Sequence, residues 1–236
     1  MNSTQKVAVV TGASQGIGAG IVKGFLDRHY RVVATSRSIE PAGTDDLVTI
    51  AGDIADPATA ERVAAAALER FGRIDTLVNN AGIFVAKPFT AYTAADFSSV
   101  LAVNLGGFFR ITQLAIADME KRSSGHVVNI TASLVDHARS SLPALMAALT
   151  KGGLNAATAS LAIEYAARGI RVNAVAPGIV KTPMHPESTH AALSGFHPIG
   201  RLGEIGDIVD AVLYLESARF VTGEVLHVDG GESAGH

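Results

Sequence analysis

The chain predicts an α/β fold: a doubly wound, mostly parallel sheet covered by helices on both faces, in one domain spanning residues 1–236. Two observations carry this. Short, largely apolar runs rich in β-branched residues recur at 7–10, 31–34, 47–50, 74–78, 126–130, 170–175 and 225–228, as strands buried on both faces require. Between them lie stretches of helical composition at 17–28, 58–71, 94–121, 143–168 and 204–215. Strand alternating with helix is the pattern of parallel crossover units. Asp56-Pro57 and Thr93 to Asp96 supply helix starts, each a cap or proline leading into periodic sequence.

Composition narrows the function. The chain has 48% hydrophobic and 17% charged residues, enough apolar surface for a packed core. It has no cysteine, which excludes disulfide scaffolds, thiol nucleophiles and thiolate-bound metals. Nineteen basic against 22 acidic residues, with no basic run, give no reason to expect nucleic acid or a membrane surface as partner. Residues 1–6 are polar and lack the pattern of a leader peptide, and no run of about 18 uninterrupted apolar residues occurs. The expectation is a cytoplasmic protein. No histidine pair at helical spacing joins a distant carboxylate, so no metal is expected.

The 24 glycines are the informative excess. Directly after the first strand stands Thr11-Gly12-Ala13-Ser14-Gln15-Gly16-Ile17-Gly18, followed by a helix. Glycines there let the backbone turn tightly and approach a pyrophosphate, which the free N–H groups of the helix start attract. At the end of the second strand a carboxylate would bind the ribose 2′-hydroxyl of NAD. Here Ser36 and Arg37 stand instead, and a guanidinium suits the 2′-phosphate of NADP(H). The stretch 183–200, with three prolines, three histidines and little periodicity, reads as a lid over a binding site.

These motifs, with Asp53-Ile54, Asn79-Asn80-Ala81-Gly82, Asn104, Ser133, Lys151, Pro177 to Thr182 and Val228 to Gly231, stand in the order seen in short-chain dehydrogenases/reductases. The chain resembles that family over nearly its whole length. The resemblance implies a single Rossmann-like domain binding NAD(P), assembled as a homotetramer. It implies that Ser14, Gln15 and Ile17 of the glycine loop, Asp53 and Ile54 at the adenine, Asn80 to Gly82, Lys151 at the ribose, and Pro177, Gly178, Val180 and Thr182 at the nicotinamide hold the cofactor.

The catalytic pattern departs from the family. Its members resemble one another most in a Tyr-x-x-x-Lys pair on one helix face, where the tyrosine is the usual proton donor. Lys151 is present, but Ala147 stands four residues before it, and Tyr30, Tyr92, Tyr165 and Tyr214 lie elsewhere. Residues 149 and 150 are Leu and Thr where the family has Ala-Ser, which fits divergence rather than a single knockout. General acid–base assistance is worth about 10²–10⁴ in rate against enzyme accelerations of about 10⁶ upward, so reduction can survive the loss. The expectation is an NADP(H)-dependent oxidoreductase that reduces a small ketone or aldehyde, or oxidises the alcohol. Ser133 would polarise the carbonyl, Lys151 would feed a proton through water with Asn104 in support, and His137 would be a substitute acid with a suitable ordinary pKa. Two rivals are an NADP(H)-binding sensor or partner protein without turnover, and a C=C reductase.

Overall fold

A computed structural model describes residues 5–41 and 44–235. The first four residues of the polar N-terminal stretch lie outside the described residues. Seven parallel strands form one sheet: β1 (Val7–Thr11), β2 (Arg31–Ser36), β3 (Leu47–Ala51), β4 (Thr76–Asn79), β5 (Gly125–Ile130), β6 (Ile170–Pro177) and β7 (Val225–Val228). Their order is β3-β2-β1-β4-β5-β6-β7. Every residue of β1 is buried, so this central strand is apolar end to end because both its faces meet helices. One face packs on α1 (Gly16–Asp27) and α7 (Ile205–Ser217) through Ile21, Phe25, Ile208 and Val212. The other packs on α2 (Pro57–Phe71), α4 (Phe108–Glu120) and α5 (Leu145–Tyr165) through Val63, Ile111, Met119 and Ala162.

Local signals set the helix ends. Asp56 accepts a hydrogen bond from Ala58 N, Pro57 opens α2, and Gly72 closes it in the left-handed region with φ 80°. Thr93 and Asp96 form a reciprocal capping box at the start of α3 (Ala94–Leu101). The stretch expected as one helix over 94–121 is instead α3 and α4 joined by a π-helical turn, Ala102–Gly107. A side chain at Gly107 would place its Cβ 2.9 Å from Ile54, so the widened turn brings backbone against the loop after β3. Such turns commonly mark functional positions, and Asn104 lies in this one. By length and composition Ala94–Glu120 would span a membrane; here Ile111, Ala115 and Met119 are fully buried against the sheet, as in a core helix.

The amino ends of the strands close over a buried polar cluster. Glu216 of α7 accepts hydrogen bonds from Lys6 Nζ at 3.1 Å, Tyr30 Oη at 2.8 Å and Thr76 Oγ1 at 3.0 Å. His126 Nδ1 lies 2.8 Å from the same carboxylate. Because His126 Nε2 faces the Asn173 amide at 3.0 Å, its proton sits on Nδ1 and the ring donates to Glu216. Burial pushes the His126 pKa down, so the ring stays neutral. Burial raises the Glu216 carboxyl, but the hydrogen bonds from His126 and Tyr30 and the Lys6 ammonium outweigh it and hold it at about 2.

Both shifts tie stability to pH with the same sign. Unfolded, His126 takes up its proton near its ordinary 6.5, whereas folded it resists; stability is therefore lost as the pH falls below 6.5. Glu216 adds a second loss as the pH falls from 4.5 towards 2. Thermal unfolding followed from about pH 8 to about pH 4 is expected to show a falling midpoint, with the first part of the fall absent in His126→Gln.

Candidate functional site

The strand order reverses between β1 and β4, and loops leaving their carboxyl ends part to open a crevice, the usual ligand position in open parallel sheets. A cleft of about 570 Å³ occupies it, within the range of small-molecule sites. Its floor is the glycine loop after β1. The Asn80 amide donates to the carbonyls of Thr11 at 2.9 Å and Gly12 at 3.0 Å, while Thr11 Oγ1 accepts from the Asn80 and Ala81 N–H groups at 3.1 and 3.0 Å. The loops after β1 and β4 are thereby fixed to each other. A Cβ at Gly12 would fall 2.8 Å from Ala81 Cα, and one at Gly18 would fall 2.2 Å from the Gly12 carbonyl oxygen. Only glycine permits this approach.

The cleft is lined by Gly12, Ser14, Gln15, Gly16, Ile17, Gly18, Ser36, Arg37, Asp53, Ile54, Asn80, Ala81, Gly82, Lys151, Pro177, Gly178, Val180 and Thr182. All the residues expected at the cofactor therefore face one space. At its β2 end, Ser36 Oγ is buried without a hydrogen-bond partner among the described residues, and exposed Arg37 makes no ion pair there. Those free donors fit an anionic group such as a phosphate. Asp53 accepts from Ala55 N at 3.0 Å, which turns the chain between β3 and α2.

At the other end lie Ser133, Ala147 and Lys151. Lys151 Nζ donates to the Ile130 carbonyl at 2.6 Å, and burial lowers its pKa to about 8. Asn104 donates to the Ile83 carbonyl and to Thr150 Oγ1, both at 3.1 Å, and accepts from Ile83 N at 2.9 Å. It does not line the main cleft. Its Oδ1 and Lys151 Nζ each lie 3.3 Å from where a Gly82 Cβ would stand, so Gly82 keeps the approach between them open. Ala147, only 4% exposed, presents no more than a methyl to the cleft.

His137 is half-buried and does not line the cleft. Its neighbour Asp136 pairs with His227 at 2.8 Å on the rim, and Arg139 is the charged residue of this loop that reaches the cleft. The segment 183–200 carries a turn at Glu187–Thr189 and the short α6 (His190–Ser194), and Pro183, Met184, His185, Leu193 and Phe196 face the cleft. Glu232 had no place among the expected site residues. It too lines the cleft, and accepts a hydrogen bond from Ser133 Oγ at 2.8 Å across a separation of 99 residues. Its sole local sign is a carboxylate placed just after the paired glycines 230 and 231.

Residues 12–233 match a family described as enoyl-(acyl carrier protein) reductase. The chain is 36% identical over 245 residues to the 3-oxoacyl-[acyl-carrier-protein] reductase FabG of Vibrio cholerae, covering 98% of each. It superposes on ElxO with NADP bound at a TM-score of 0.92, with 29% identity, covering 98% of this chain and all of that one. A 3-ketoacyl-(acyl-carrier-protein) reductase from Brucella melitensis complexed with NADH gives 0.89 and 31%, over 97% and 98% of the two chains.

Gly18→Ala is expected to lower the melting temperature and to abolish the rise that a dinucleotide produces in the parent, because the new methyl meets the Gly12 carbonyl at the loop that would cradle the pyrophosphate. A variant that still shows that rise overturns the assignment of this loop.

Proposed function

This chain belongs to the short-chain dehydrogenase/reductase family of oxidoreductases, and from that premise we propose that it is an NADP(H)-dependent enzyme reducing a small ketone or aldehyde, or oxidising the alcohol, with a proton source other than tyrosine. The observation that carries the reading is one cleft joining the glycine loop and Arg37 to Ser133 and Lys151. A bound nicotinamide dinucleotide supplies hydride. The glycine loop would receive its pyrophosphate, Ser36 and Arg37 its 2′-phosphate, Lys151 its ribose, and Pro177 to Thr182 its carboxamide. Ser133 touches the carbonyl oxygen. Asn104 supports Lys151 across Gly82. The segment 183–200 closes over the substrate with Met184, Leu193 and Phe196, which suits a compound with an apolar part. NADP bound to ElxO at 29% identity and the 3-oxoacyl substrates named for relatives such as FabG at 36% support the cofactor and the carbonyl class.

A second reading, C=C reduction, draws on the enoyl description of the matched family and the absence of a phenol at Ala147. An α,β-unsaturated ketone separates the two: an allylic alcohol by NMR supports carbonyl reduction, a saturated ketone supports the rival. Phe97, Phe109, Leu149 and Ile163 stand exposed on α3, α4 and α5 and support assembly as a homotetramer, since exposed apolar patches mark association surfaces. Light scattering is then expected to report four times 24.3 kDa.

Oxidation of NADPH over a panel of carbonyl compounds tests the main reading, and silence across the panel with NADPH bound overturns it. Arg37→Asp is expected to weaken NADPH at least about tenfold relative to NADH, as loss of a charge-assisted phosphate contact implies. Ala147→Tyr is expected to raise carbonyl reduction by about 10²-fold by restoring a general acid beside Lys151.

A further inference from the structure

Glu232 is a carboxylate inside the cleft that the family resemblance does not assign. Its side chain is 6% exposed, so its charge must be compensated locally. Arg139 Nε stands 3.3 Å from Oε1. Ser133 Oγ donates to Oε2 at 2.8 Å. His197, from the segment 183–200, places Nδ1 3.7 Å from Oε2; because its Nε2 accepts from Ile179 N at 3.1 Å, the neutral ring carries its proton on Nδ1, towards the carboxylate. Arg139 also donates to the Phe196 carbonyl at 3.0 Å.

This arrangement alters what Ser133 can do. A serine has one proton to donate. While Glu232 is ionised, that proton points to the carboxylate, and Ser133 offers a substrate only a lone pair. When Glu232 is protonated, the bond reverses: the carboxyl donates to Ser133, and the hydroxyl is free to donate to a carbonyl oxygen. Ser133, Glu232 and the methyl of Ala147 face the same cleft.

We infer that Glu232 is the terminus of a proton relay through Ser133 that serves the substrate oxygen in place of the phenol absent at position 147. The inference rests on the carbonyl-reduction reading and names its proton source. In reduction, a reduced nicotinamide would supply hydride to the carbonyl carbon, the C=O π pair becoming the alkoxide lone pair. The oxygen takes the Ser133 proton, Ser133 takes the Glu232 proton, and Glu232 takes up one proton from the solvent. One carbonyl, one reduced nicotinamide and one proton give one alcohol and one oxidised nicotinamide. Alcohol oxidation runs the same relay backwards into the carboxylate. Glu232 acts through Ser133 and is a positioning and proton-storing residue; Ser133 makes the contact.

The test is steady-state reduction of a carbonyl substrate across pH, with NADPH binding measured separately by fluorescence, for the parent, Glu232→Gln, Ser133→Ala, their double variant and Arg139→Gln. Reduction draws on the carboxyl proton, so the relay gives the pH–rate profile a limb that depends on Glu232. Glu232→Gln is expected to lose about 10²-fold in kcat and that limb of the profile while keeping NADPH binding, and the double variant to lose little beyond either single change, because the two residues act as a unit. Arg139→Gln removes the cation 3.3 Å from the carboxylate, and is expected to move that limb to higher pH; a purely structural clamp would leave it in place. Glu232→Gln with the parent's rate and profile, a limb near pH 8 that persists in Glu232→Gln and so belongs to Lys151, or an Arg139→Gln limb that does not move overturns the relay alone. A parent that binds NADPH yet reduces nothing overturns the carbonyl reading and the relay with it.

Discussion

The amide of Asn80 holds together the two loops that face each other where the strand order reverses. By donating to the carbonyls of both Thr11 and Gly12, it satisfies acceptors that a glycine turn would otherwise leave open at the mouth of a buried strand. Thr11 returns the bond to the backbone of Asn80 and Ala81. This clasp sets the height of the glycine loop above the sheet and the start of α1, and so where a pyrophosphate meets free N–H groups. It also fixes Gly82, past which Lys151 and Asn104 approach one another. At this end of the cleft each of the two side chains, Asn80 and Thr11, makes two hydrogen bonds to the backbone of the facing loop.

The opposite end is built of side chains from distant parts of the chain. Ser133 follows β5, Ala147 and Lys151 ride on α5, His197 and Phe196 come from the segment after β6, and Glu232 follows β7. A tyrosine on α5 would make proton transfer local to one helix face. With alanine there, the ionisable group beside Ser133 is supplied from the carboxyl end of the sheet's last strand, 99 residues on. Arg139 then has two duties at once, neutralising Glu232 and holding the Phe196 carbonyl. Charge compensation of Glu232 is thereby tied to Phe196 of the segment 183–200.

The difference between the two ends explains what could be read from the residues alone. Strand runs, the helix caps at Asp56 and Thr93 and the glycine loop are local: their physics is contained in a few consecutive residues. The residues expected at the cofactor were legible for that reason, and all of them line one cleft. Glu232, Arg139 and His197 become neighbours only through the parallel crossovers that stack β5, β6 and β7 side by side, and no spacing in the chain encodes such a meeting. His137 shows the converse. Its ordinary pKa and its place between Ser133 and Lys151 favoured it, yet Arg139 is the charged residue of that loop that lines the cleft. The π-helical turn at Ala102–Gly107 was hidden in the same way: Gly106-Gly107 is visible, but the close approach of Gly107 to Ile54 on another loop is not.

With alanine at position 147, the proposed relay differs from a tyrosine site in charge balance as well as in shape. A tyrosine is neutral in the resting state and needs the lysine beside it to make its proton available. A buried carboxyl that gives up its proton needs a cation to be tolerated, and Arg139 stands 3.3 Å away. In the proposed relay Lys151, held by the Ile130 carbonyl at 2.6 Å, would be relieved of the proton and would serve the ribose alone. The relay would divide between Glu232 and Lys151 two tasks that a Tyr-x-x-x-Lys pair shares. It would place the proton-storing group after β7, with His197 of the segment 183–200 only 3.7 Å from its carboxylate.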